Sequence, residues 1–126
     1  RMADLDARIA AIDAMGVAVQ VLSSSLVHQC SYDAEPDTAL RLDAAMNERI
    51  AQAVAKHPAR FRGLGSVPLQ APERAADELS RCIDSLGLSG VTISTRVRDR
   101  EIGDPALRPF GECAEALGAV VFIHPA

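Results

Sequence analysis

Four short apolar runs alternate with stretches of helical periodicity, and this alternation constrains the chain more than any other feature. The runs are Val17–Leu22, Arg60–Val67, Gly90–Ser94 and Ala119–Ile123. A strand followed by a helix long enough to cross back lays the next strand parallel to it, with a right-handed crossover. The expected order is therefore α-β-α-β-α-β-α-β around one parallel sheet.

Helix periodicity supports the intervening segments. From Asp4 to Met15, Leu5, Ile9 and Ile12 recur at helical spacing, and Gly16 follows as a terminator. After a polar loop over Ser24–Pro36, Asp37 can cap a helix whose apolar positions are Leu42, Met46, Ile50, Ala53 and Val54. His57-Pro58 ends it, since a residue before proline is pushed out of the α region. Pro72 opens a third helix reaching Leu86, with Leu79, Cys82, Ile83 and Leu86 on one face and Gly87 behind. Thr95–Gly103 reads as a polar loop. Asp104-Pro105 opens the last helix, with Leu107, Phe110, Ala114 and Leu117 as its stripe and Pro109 in its early part.

Composition narrows the function class. With 126 residues, 48% hydrophobic and 24% charged, the chain is an ordinary globular domain. Its net charge is -4, and Asp99 and Glu101 interrupt the densest cationic patch, Arg96, Arg98 and Arg100. A nucleic-acid partner is disfavoured. Neither a bilayer-length apolar stretch nor a signal-peptide pattern is seen, so a membrane role is not expected. Cys30, Cys82 and Cys113 are odd in number and lack CxxC spacing. They read as reduced thiols of a cytoplasmic protein, Cys82 and Cys113 as small core hydrophobes.

Chemistry is expected where parallel strands end. The carboxyl ends of such strands collect ligands and catalytic groups, and the last run delivers His124 to that end with Pro125 behind it. A neutral imidazole ligates zinc or a similar cation, though a catalytic site needs further ligands and an open position; a strand-end histidine bonded to backbone is the plainer alternative. Ser24, Tyr32 and Thr95 fall at the corresponding ends or loops and are candidate substrate-lining residues. His28 and His57 read as surface residues. Asp33, Glu35 and Asp37 lack calcium-loop spacing. Gly63-Leu64-Gly65 lacks the third glycine of a dinucleotide fingerprint, and Ser23-Ser24-Ser25 has no nucleophile elbow around it. Local pattern leaves two architectures open, half of a (β/α) barrel and a small doubly wound sheet.

The runs Met15–Val21, Pro58–Gln70, Leu86–Thr95 and Phe122-Ile123-His124-Pro125, in this order and spacing, resemble the amidohydrolase-related family that includes aminocarboxymuconate semialdehyde decarboxylase. The resemblance covers essentially the whole chain. It implies an α/β fold, part of a TIM (β/α)8 barrel with about four parallel strands and crossover helices. It further implies a divalent metal, usually zinc, a small carboxylated substrate, and hydrolysis or decarboxylation; family members suggest a homodimer. The family's metal set includes a His-x-His pair on the first strand, a histidine before proline on a middle strand and an aspartate on the last. Only the middle-strand histidine matches here, at His124. Ala126 stands where decarboxylating members often carry a bulky aromatic. A full barrel needs on the order of 250 residues, so an internal fragment is expected, running from the helix before the second strand through the fifth strand.

Overall fold

The structure, a computed structural model, describes residues 4–24 and 31–125. Helix α1 (Leu5–Ala14) leads to strand β1 (Gln20–Leu22), helix α2 (Pro36–Lys56), strand β2 (Phe61–Gly65), helix α3 (Pro72–Asp84) and strand β3 (Gly90–Ser94). A small hairpin, β4 (Arg96–Val97) with β5 (Arg100–Glu101), and a 3-10 turn (Pro105–Leu107) precede helix α4 (Arg108–Leu117) and strand β6 (Val120–His124). Four strands form one parallel sheet in the order β1-β2-β3-β6. Each strand lies beside its predecessor in the chain, so the order never reverses. A doubly wound sheet requires such a reversal; this is the half-barrel.

Helices pack on one face only. Val91 and Ile93 of β3 meet Ala75 and Leu79 of α3 and Phe110 and Ala114 of α4 in one core cluster. Phe61 and Leu22 join Ile12, Ile50, Ala53, Cys82 and Leu88 in a second. The two glycines of β2 let α2 come close: a Cβ at Gly63 would stand 2.7 Å from both Ile50 and Leu88 side chains. Strand residues alternate between faces, so Val21, Val120 and Phe122 lie on the side away from the helices. They are 55%, 52% and 54% exposed. That is the face a closed barrel turns inward.

Several boundaries depart from the sequence reading. The first strand begins at Gln20 because Val17 and Ala18 carbonyls are taken by the Arg60 guanidinium. The second ends at Gly65, since the next residue gives its backbone to a side chain of α2. Glu35, not Asp37, caps α2: its carboxylate accepts the N–H groups of Asp37 and Thr38, with Pro36 opening the helix. The buried stripe of α2 is Ala39, Asp43, Asn47, Ile50 and Ala53, while Leu42 is 51% exposed. Thr95–Gly103 contains the antiparallel hairpin, pairing Arg96 with Glu101 and Val97 with Arg100. Val97 is buried in the first core cluster. Asp104 caps the 3-10 turn, and α4 starts only at Arg108. The last run, β6, is the outer strand of the described sheet, with Val120, Phe122 and Ile123 exposed.

Cys82 is buried, Cys113 half-buried, and both are free thiols; Cys30, Ser25, His28 and Ala126 lie outside the described residues. No described helix is long and apolar enough to cross a membrane.

Candidate functional site

His124 is the last residue of the β3–β6 ladder and pairs with Ser94. Val91, Ile93 and Val121 face the helices, so alternation puts Thr92, Ser94, Phe122 and His124 on the opposite face. The imidazole is half-buried, with Nδ1 2.9 Å from the Pro125 carbonyl oxygen. His57, by contrast, caps the far end of α2, and its ring stands edge-on to Phe61 with centroids 6.0 Å apart.

The other candidates divide. Thr95, exposed, follows β3 directly and stands beside the His124 rim. Ser24, half-buried, follows β1, the opposite edge of the sheet. Three interstrand spacings of about 4.8 Å separate β1 from β6, or roughly 14 Å. Tyr32 is buried, and its hydroxyl accepts the Ser94 N–H at 3.3 Å. Burial holds its phenol protonated well above the ordinary tyrosine range. A polar cleft of about 340 Å³ lined by Asp4, Arg49, Lys56 and His57 lies at the strands' amino end, remote from this rim.

Beneath the rim sits a buried polar cluster that sequence reasoning missed. Asn47, fully buried, donates from Nδ2 to the Ser66 carbonyl and to Glu78 Oε2, both at 2.8 Å, and accepts the Ser66 N–H at 2.7 Å. Glu78 also receives Arg81 at 2.8 Å, and Arg81 reaches Glu48 at 3.0 Å. Asp43 lies one turn before Asn47, fully buried; Ser31 Oγ donates to Oδ2 at 3.4 Å, while Oδ1 finds no hydrogen-bond partner among the described residues. Burial pushes the Asp43 carboxyl up to about 7, and the Glu78 charge adds to this against the Ser31 hydrogen bond. The Cys82 thiol is pushed up to about 12 by burial and by Glu78, which makes it inert as a nucleophile. The signal available was the spacing of Asp43, Asn47 and Ile50 on one helical face. Apolar Leu42 and Met46, one residue off that face, obscured it.

As to metal binding, no three His, Cys, Asp or Glu side chains come together as a ligand set among the described residues. His124 offers one donor of the kind a divalent cation takes, at the end of the sheet where such sites lie.

A half-barrel of parallel strands with an imidazole at the carboxyl rim defines a segment of a (β/α)-barrel protein, a class whose sites open at that rim. A family model described as Amidohydrolase matches residues 25–126, and the chain belongs to that family. It is 46% identical over 122 residues to 2-amino-3-carboxymuconate-6-semialdehyde decarboxylase of Dictyostelium discoideum, covering 97% of this chain and 34% of the relative. It is 32% identical to gamma-resorcylate decarboxylase of a Polaromonas strain, covering 99% of this chain and 40% of the relative. Among solved structures it superposes with TM-score 0.87 and 31% identity on 5-carboxyvanillate decarboxylase of Novosphingobium aromaticivorans, covering 94% of this chain and 34% of that one. That crystal holds manganese and 4-hydroxy-3-methoxy-5-nitrobenzoic acid. The chain thus spans about a third of the length of the relatives it matches.

Proposed function

We propose that the whole protein is a metal-dependent decarboxylase that removes a carboxyl group as carbon dioxide from a small unsaturated or aromatic carboxylate. The observation that carries this reading is His124, last in its ladder and at the rim, within a chain related to decarboxylases. The divalent cation, when bound, supplies a positive centre that holds substrate oxygens and stabilises the charge that develops as the C–C bond breaks. His124 provides one fixed ligand. Thr95 and Ser24 line opposite sides of the mouth, where hydroxyls can orient a carboxylate or a ring oxygen. Carbon dioxide leaves, and the carbon that loses it takes up a proton. Zinc and manganese both suit the imidazole donor. The same reading takes the protein as a cytoplasmic homodimer.

The test is elemental analysis and product assay on the whole protein. One divalent ion per chain, carbon dioxide release from hydroxybenzoate or aminocarboxymuconate-type acids, and loss of metal and activity in His124→Ala are expected. A protein without stoichiometric metal, with activity unchanged in that variant, ends the reading. Hydrolysis of an amide or lactone without carbon dioxide release assigns the other reaction of the superfamily.

A further inference from the structure

We infer that Tyr32 is a positioning residue for His124, acting through Ser94; the inference rests on the metal-ligand reading above. Strand β2 leaves the sheet at the Gly65–Val91 pair, while β3 and β6 remain paired to Ser94 and His124. The top of β3 has therefore lost its neighbour on the β2 side. Ser66, the residue that would continue β2, gives its amide and carbonyl to Asn47 instead.

Tyr32 occupies the place β2 vacates. Its hydroxyl accepts the Ser94 N–H at 3.3 Å, and its ring is buried in the cluster with Val67, Leu69, Ile93 and Val97. An unpaired buried N–H is costly, so this bond keeps the last rung of β3 in register. That rung is what His124 is paired to.

The segment that carries Tyr32 is itself clamped from two loops. Arg98 Nε donates to the Tyr32 carbonyl at 2.8 Å, and Nη2 to the Ala34 carbonyl at 3.0 Å. Gln70 donates to the Ser31 carbonyl and, at 3.1 Å, to that of Ala34. Arg98 sits at φ +57° at the tip of the β4–β5 hairpin, a left-handed conformation that is strained for a side-chain-bearing residue. The retained strain is consistent with a guanidinium held to a fixed task. Two separate loops thus converge on a four-residue segment whose phenol hydroxyl reaches the rung beside the imidazole.

The experiment uses the whole protein and three variants. Tyr32→Phe removes the acceptor and keeps the ring. Arg98→Gly keeps the backbone conformation and removes the clamp, and it replaces Tyr32→Phe should that variant fail to fold. Ile12→Val trims the other core cluster and serves as the control for general destabilisation. Hydrogen exchange at the Ser94 and His124 amides and affinity for manganese are measured. Expected are exchange at least tenfold faster at Ser94, and faster at His124, together with roughly tenfold weaker manganese binding, the size typical of outer-shell support lost. Ile12→Val should leave both near wild type. Unchanged exchange at Ser94 in both Tyr32→Phe and Arg98→Gly overturns the inference, as does an equal loss of metal affinity in Ile12→Val. If the wild type binds no manganese or zinc, the decarboxylase reading fails, and the positioning of His124 stands or falls on the exchange rates alone.

Discussion

Asn47 brackets Ser66 across nineteen residues of sequence, accepting its N–H at 2.7 Å and donating to its carbonyl at 2.8 Å. One side-chain amide thereby replaces both ladder bonds where β2 ends. It does so on a helix that also meets Glu78 of α3, so a single buried residue ties strand end to two helices.

Removing that amide should be costly. Asn47→Ala leaves the Ser66 N–H and the Ser66 carbonyl without their Asn47 partner in a dry site, at about 1–3 kcal/mol for each. A loss of about 3 kcal/mol or more in urea denaturation is expected. A variant within 0.5 kcal/mol of wild type would show that water enters and replaces the contacts.

Asp43 makes stability depend on pH in an unusual direction. Its folded-state value is about 7 against 3.8 for an ordinary aspartate, and burial is the main cause. The folded protein therefore holds this proton more tightly than the unfolded chain. The contribution is fully favourable below pH ~4 and declines as pH rises to ~7, beyond which it stays lost. Glu78 faces Asp43 from α3, and Arg81 is committed to Glu78 and Glu48. Asp43→Asn should thus raise stability at pH 8 by on the order of 2–4 kcal/mol and do little at pH 4. Melting curves at the two pH values check this; an equal effect at both would contradict it.

Two glycines should respond oppositely to alanine. A Cβ at Gly90 would lie 1.8 Å from the Val120 carbonyl oxygen, so Gly90→Ala must part β3 from β6 at a cost of at least ~3 kcal/mol. Gly111 lies within α4 and has open space where a Cβ would go. Gly111→Ala should stabilise by about 0.5–1 kcal/mol through helix propensity. Chemical denaturation of both variants tests the pair.

Residues 1–126 by themselves should hold a divalent cation poorly, because His124 is their single rim imidazole among the described residues. Titration with zinc or manganese should give no tight single-site binding. The apolar face bearing Val21, Val120 and Phe122 should bind a hydrophobic dye, and its edge strands should favour association. A monodisperse, dye-silent segment would argue that this face is covered by some other means.

Local pattern carried much of the architecture. The alternation of periods 2 and 3.6 determined the order of elements, and Gly16, Pro58, Pro72 and Gly87 marked where several of them start or stop. That His124 concludes a strand was legible for the same reason, since both signals lie within a few residues of each other. The remainder was set by partners far apart in the chain. Asp43 and Asn47 face inward, displacing Leu42 to the surface, because Ser31, Ser66 and Glu78 meet them there. Tyr32 meets the rung of His124 through Ser94, sixty-two positions away. The hairpin over Arg96–Glu101 exists because Val97 has a core to enter. Periodicity reports which face of an element is apolar, whereas the pairing of buried polar groups is set by which elements fold together, and that information is nowhere local.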